Sequence, residues 1–162
     1  MAGPDAEPAA SSPPGEPGAD LHWLAAAIDL SRRCPRSESA FCVGAILVSA
    51  SGEAIATGYS RETGPADHAE EVALRRSGNA ALAGATLYSS LEPCLRRKSR
   101  PLSCASLIAA AGLRRVVIAW REPPLFVKGG GATWLAARGV TVVELPELAI
   151  DARAVNAHLL PP

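Results

Sequence analysis

From residue 41 to residue 145, short apolar runs rich in β-forming residues alternate with helix-spaced segments that stop at glycine. Few folds accept that order, because every half-apolar strand or helix must bury its face against a neighbour. Phe41–Val48 is one such run, and Ser51-Gly52 turns it into Ala54–Tyr59, which predicts a β-hairpin. From Asp67 to Arg76 the residues Ala69, Val72, Ala73 and Arg76 keep helical spacing, with Gly78 as the stop. Thr86–Leu91 predicts a strand, Cys104–Ala111 a helix ended by Gly112, and Arg115–Trp120 a strand apolar enough to be covered on both faces. Thr133–Arg138 predicts a short helix stopped by Gly139, Val140–Leu145 the last strand, and Glu147–Leu159 a closing helix. Ahead of this array Asp20 is the expected cap of a helix carrying Leu21, Leu24, Ala25 and Ile28 on one face, ending near Cys34-Pro35. Alternation with right-handed crossovers predicts an α/β fold, a three-layer α/β/α sandwich.

With 162 residues the chain can bury one core but hardly two. The expected division is a Pro/Gly/Ala-rich tail over 1–19, too poor in core formers to fold, and one domain over 20–162. Sixteen Lys and Arg balance sixteen Asp and Glu, which argues against a long nucleic-acid backbone as partner, although Arg96, Arg97, Lys98 and Arg100 form a local basic cluster. No apolar run reaches bilayer length, and no basic segment followed by an apolar one opens the chain, so neither membrane span nor secretion signal is expected. The four cysteines then read as thiols or metal ligands, and a cytoplasmic location follows as the expectation.

The residues that carry chemistry are His68-Ala69-Glu70 and Pro93-Cys94, followed after nine intervening residues by Cys104. Catalytic zinc takes three protein ligands and keeps one position open, and one imidazole with two thiolates meets that need. His68 and Cys104 fall near predicted helix starts, where free N–H groups favour thiolate and metal, and Cys94 directly follows a strand. Glu70, two residues from His68, can reach a water at the open position without being a ligand. Deamination needs such an acid, because the attacking water must lose a proton and the departing amine must gain one. Glu71, the next residue, is expected to point elsewhere, with little effect when lost. Cys42 in an apolar strand reads as core filler, Cys34 as a helix-end residue, and His22 and His158 as ordinary helix residues.

At these residues the sequence resembles the cytidine-deaminase superfamily, and more narrowly the pyrimidine deaminases of riboflavin biosynthesis. The resemblance runs from about Ala40 to Leu145 through Val43-Gly44-Ala45, His68-Ala69-Glu70, Leu91-Glu92-Pro93-Cys94 and Leu107–Gly112. The long gap between the cysteines sets it apart from branches with Cys-x-x-Cys. The segments 58–62, 92–99 and 122–128 resemble the fungal type, and no reductase-like segment follows, so the likeness is to a free-standing deaminase. It implies a central mixed five-stranded sheet and one zinc per chain on His68, Cys94 and Cys104, with Glu70 as the acid/base. It also implies the substrate 2,5-diamino-6-ribitylamino-pyrimidin-4-one 5′-phosphate. Arg97 and Lys128 are the expected phosphate contacts, each with a solvated surface charge as its alternative; the three glycines after Lys128 would let N–H groups approach an anion. Tyr59 and Arg61 are further expected substrate contacts. The bacterial bifunctional enzymes carry Asn-Pro where this chain has Ala40-Phe41, and the loop 95–103 replaces a different sequence. Partners are then a small aminopyrimidine and water, with no nucleic-acid polymer and no membrane, and a homodimer is left open. Two other readings stand beside this one: a deaminase of another nucleobase, nucleoside or nucleotide, and a non-catalytic zinc-stabilised binding module. Glu70 speaks against the latter, since a structural site has no use for a non-ligand acid.

Overall fold

The structure, a computed structural model, describes residues 12–162, so most of the expected tail lies outside the described residues. The first helix, α1, spans Pro17–Ser31, starting three residues before the expected cap. Pro17 suits a first helical position because its missing N–H has no partner to lose there. Asp20 is therefore not the cap. It is buried in the first turn, where its carboxylate accepts from the Tyr88 hydroxyl at 2.6 Å and from the Arg115 guanidinium at 2.9 and 2.5 Å.

The hairpin forms from β1, Gly44–Val48, and β2, Ala54–Tyr59, paired antiparallel. Strand β1 starts three residues later than its apolar run. Residues 42 and 43 give their N–H groups to side chains instead of a ladder: Cys42 to Asn156 Oδ1 at 2.7 Å and Val43 to Ser60 Oγ at 3.0 Å. Helix α2, Ala69–Ser77, follows, then β3, Thr86–Ser89; α3, Cys104–Ala110; β4, Arg115–Ile118; α4, Gly131–Ala136; and β5, Thr141–Glu144. The order across the sheet is β2-β1-β3-β4-β5, with β1 antiparallel to β3 and the last three strands parallel. That is the expected mixed five-stranded sheet. The closing segment is a single α-helix only over Ala149–Val155, which is α5, with 3-10 turns at Pro146–Leu148 and Ala157–Leu159. Asn156 breaks it, because both ends of its amide are spent on the Cys42 backbone, at 2.7 and 3.0 Å.

Helices α1 and α5 pack together on one face, and α2, α3 and α4 pack in series on the other. Two glycines permit this closeness. A Cβ on Gly44 would sit 2.0 Å from the Ala27 carbonyl of α1, and one on Gly58 would sit 2.6 Å from the Ala69 carbonyl of α2. The core between these layers includes Leu24, Ile28, Leu47, Leu87, Ile108 and Leu135, all essentially inaccessible. Each such side chain contributes about 1.5–3 kcal/mol through the apolar area it removes from water. No described helix is long and apolar enough to cross a membrane.

Candidate active site

Three element ends converge on one spot. His68 is the residue before α2, extended at φ −99°, and its carbonyl accepts the Val72 N–H at 3.1 Å. Cys104 opens α3 because Ser103 caps that helix, its hydroxyl accepting the Ser106 N–H at 3.1 Å. Cys94 lies beyond β3, held by its carbonyl to the Ala105 N–H at 3.0 Å and by its sulfur to the Cys104 N–H at 3.2 Å. The two thiols are thus one rigid unit at the start of α3.

His68 Nδ1 lies 3.5 Å from each sulfur, and the three donor atoms all fall within 4.8 Å of one another. A tetrahedral zinc with bonds of about 2.3 Å to sulfur and about 2.0 Å to nitrogen separates such donors by about 3.5 Å, so the residues fit the ion. Nδ1 is the nitrogen facing the sulfurs, a choice the sequence left open. The thiols titrate as a pair: hydrogen bonding from Cys104 and then His68 holds Cys94 low, while the same hydrogen bond, burial and the Glu70 charge push Cys104 up. One thiolate is therefore favoured even before a cation arrives.

Glu70, in the first turn of α2, is buried and accepts the Ser89 hydroxyl at 3.0 Å. Burial first, and then the Cys94 charge, push its carboxyl above its ordinary value, while His68 and Ser89 pull the other way. It lines a cavity of about 400 Å³ together with His68 and Cys94. Phe41 and Phe126 form an aromatic wall, their centroids 5.1 Å apart, backed by Trp120.

The expected substrate contacts divide. Tyr59 pairs with Gly44 in the hairpin, and the pleat puts both on the α1 face, away from the cavity. Arg61 does line the cavity, but its guanidinium is spent on the Pro35 carbonyl at 2.7 and 3.0 Å and the Phe41 carbonyl at 3.2 Å. It fastens the loop carrying Phe41, from a left-handed backbone at φ 58°. Arg97 also lines the cavity, yet its side chain is only 2% exposed and bound to Glu71 and the Ala66 carbonyl. Lys128 is exposed and outside the cavity wall, as its surface-charge alternative has it. Of the glycines after it, Gly131 is needed for packing: a Cβ there would lie 1.9 Å from the Pro93 carbonyl. Glu71 turns away from the cavity, but into ion pairs with Arg97 and Arg100 rather than into water.

Three residues have roles that the sequence did not assign. Glu92 is buried and caps α4, accepting the Ala132 N–H at 2.9 Å and the Glu122 N–H at 3.0 Å. Ser89 orients Glu70. Glu122 lines the cavity with one buried carboxyl oxygen unpartnered, and burial, then the charges on Cys94, Glu70 and Glu92, push its pKa to about 8. An acid inside the apolar context Leu91-Glu92-Pro93 was a signal available for Glu92.

Comparison with known proteins agrees with this geometry. The profile of the cytidine and deoxycytidylate deaminase zinc-binding region matches residues 18–120, taking in α1 and ending at Trp120. A diaminohydroxyphosphoribosylamino-pyrimidine deaminase of Schizosaccharomyces pombe is 38% identical over 126 residues, 75% of this chain and 31% of that protein. The chain thus spans about a third of that relative's length. RibD of Acinetobacter baumannii superimposes with a TM-score of 0.72 at 31% identity, over 87% of this chain and 39% of that one. The Rib2 deaminase of Aspergillus oryzae, solved in complex with DARIPP, shares the fold with a TM-score of 0.67 at 22% identity, over 86% of this chain and 95% of that one. A histidine and two thiols at zinc spacing, beside a buried acid and inside the matched region, leave one assignment: the chain belongs to the cytidine and deoxycytidylate deaminase family.

Proposed function

We propose that this chain is a hydrolytic deaminase of an aminopyrimidine, with one zinc held by His68, Cys94 and Cys104. The observation that carries this reading is the buried Glu70 beside the three donors on a cavity of about 400 Å³. Bound zinc would supply Lewis acidity that lets water act as a nucleophile near neutral pH. Glu70 takes one proton of the water as the carbon–oxygen bond forms and passes it to the amine as the carbon–nitrogen bond breaks and ammonia leaves; the second water proton ends on the ring nitrogen as the carbonyl forms. Burial places the Glu70 carboxyl out of bulk water, and the Ser89 hydroxyl lies 3.0 Å from it. Phe41 and Phe126, packed edge to face, offer apolar ring surface on one side of the cavity.

The proposed substrate is 2,5-diamino-6-ribitylamino-pyrimidin-4-one 5′-phosphate, converted to the dione. The named activity of the fission-yeast relative and the DARIPP complex of the Aspergillus protein support it. For the phosphate we assign Arg96 and Lys98 in place of Arg97 and Lys128. Both line the cavity, both are exposed, and among the described residues neither has an ion-pair or hydrogen-bond partner. The test is ammonia release from a panel of aminopyrimidines with and without ribityl phosphate. Glu70→Gln should keep zinc and fold while turnover drops by roughly 10²–10⁴-fold. Arg96→Ala and Lys98→Ala should raise KM for the phosphorylated compound alone. Preference for an unphosphorylated ring would remove the riboflavin assignment and leave the deaminase; no ammonia from any ring would remove both.

A further inference from the structure

The thiols and the imidazole sit on separate pieces of chain, and a pair of arginines ties those pieces together. Cys94 and Cys104 are locked to each other by backbone hydrogen bonds at the start of α3. His68 belongs to the segment leading into α2. Between the thiols runs the nine-residue loop 95–103, which has no regular secondary structure. From this loop Arg97 donates to Glu71 Oε2 at 3.2 Å and to the Ala66 carbonyl at 2.6 Å. Arg100 donates to Asp67 Oδ1 at 3.3 Å and pairs with Glu71 Oε1 at 3.3 Å. Asp67 is in turn held by the Thr63 N–H at 2.9 Å and the Thr63 hydroxyl. All these anchor points, Ala66, Asp67 and Glu71, bracket His68 in the chain.

The two arginines differ in weight. Arg100 is 42% exposed, and solvent screens its pairs. Arg97 is 2% exposed, so its charge is tolerated only because the Glu71 carboxylate and a carbonyl satisfy it. A planar guanidinium can reach both acceptors at once, which a lysine ammonium on its flexible stem does poorly.

We propose that Arg97 and Glu71 are a positioning pair that sets the spacing of the imidazole and the thiols, and thereby the zinc affinity. The inference rests on the reading of His68, Cys94 and Cys104 as the metal ligands. Neither residue is one of the three donors; both act through the segments that carry them.

The test is zinc affinity and zinc release rate, measured by competition with a chromogenic chelator, for Arg97→Ala, Arg97→Lys, Glu71→Gln and the double variant Arg97→Ala/Glu71→Gln. Lys128→Ala, exposed and outside the cavity, is the control. Arg97→Ala should weaken zinc binding by roughly 10–100-fold, the usual effect of removing a group that orients a metal ligand. Arg97→Lys should recover little of it. The double variant should be no worse than Arg97→Ala, since the two residues act as a unit. Turnover of Glu71→Gln at saturating zinc should return toward that of the parent, since Glu71 does not line the cavity. Should Arg97→Ala fail to fold, Glu71→Gln reads the same quantity with almost no change of shape. Zinc affinity in folded Arg97→Ala or Glu71→Gln within twofold of the parent overturns the positioning role, as do additive single effects. A parent chain that binds no zinc removes the metal-site reading and this inference together, which separates the two failures.

Discussion

Gly131→Ala tests how tightly the start of α4 clamps the metal-ligand segment. The added Cβ would stand 1.9 Å from the Pro93 carbonyl oxygen and 3.6 Å from the Cys94 carbonyl carbon. Real Cβ contacts essentially never fall under 3.0 Å, so the two backbones must part by about 1 Å. Gly131 is not among the positive-φ residues, so the objection is contact alone and not backbone strain. Neither side can yield freely. The Pro93-Cys94 segment is pinned by the Glu92 N–H to Trp120 at 3.0 Å and by the Ala105 N–H to Cys94 at 3.0 Å. Helix α4 is pinned by the Glu92 carboxylate on the Ala132 N–H at 2.9 Å. Forcing an extra carbon into such a contact costs about 1–3 kcal/mol. At about 2–4 °C per kcal/mol for a domain of this size, the midpoint of thermal unfolding should fall by roughly 2–12 °C. If Cys94 is the side that moves, a misplacement near 1 Å should lower turnover by about 10²-fold. The measurements are thermal unfolding with and without chelator, bound zinc, and ammonia release. Gly64→Ala is the control, because nothing lies within 4 Å of its Cβ and its backbone is ordinary. If Gly131→Ala unfolds within about 1 °C of Gly64→Ala and keeps zinc and activity, the clamp reasoning is wrong.

Two further predictions concern charge. Asp20→Asn leaves the Arg115 cation without its carboxylate and should cost about 3 kcal/mol in urea unfolding, the low end for a broken buried pair because Arg115 is 23% exposed. Burial alone would raise Asp20, but hydrogen bonds from Arg115 and Tyr88 outweigh it and hold the carboxyl below its ordinary 3.8. Its stabilisation should therefore be complete above about pH 4 and vanish as pH falls through the lower folded value, a loss that Asp20→Asn should not show. Glu122 has the opposite sign: with a folded pKa of about 8 against an ordinary 4.5, the metal-free chain takes up a proton there on folding. Stability of the chelated protein should decline as pH rises from about 4.5 to about 8, and Glu122→Gln should make that decline shallower. An unchanged slope in the urea midpoints would show that Glu122 is already ionised at neutral pH.

What the sequence determined by itself was whatever depends on residue type and local period. Zinc chemistry restricts ligands to a few side chains, so residue type and spacing were enough to single out His68, Cys94 and Cys104, whose donor atoms the fold brings within 4.8 Å of one another. Apolar periodicity with glycine stops was enough to order the strands and helices, because burial of one face dictates the pattern. Tertiary structure decided what depends on direction. Tyr59 left the candidate contacts because strand register put it on the α1 face, and a register is a property of two strands, not of one. Asp20 read as a cap because Asp is a good cap, yet Arg115 and Tyr88, 95 and 68 residues away, bind its carboxylate. Arg97 read as a phosphate contact because an arginine beside a metal site looks free on paper. In the fold its guanidinium is satisfied by Glu71 and Ala66, whereas Arg96 and Lys98 on either side stay open. Which of three adjacent cations is spent on structure and which is left for a ligand follows from how an irregular loop is aimed, and no local pattern in the chain encodes that aim.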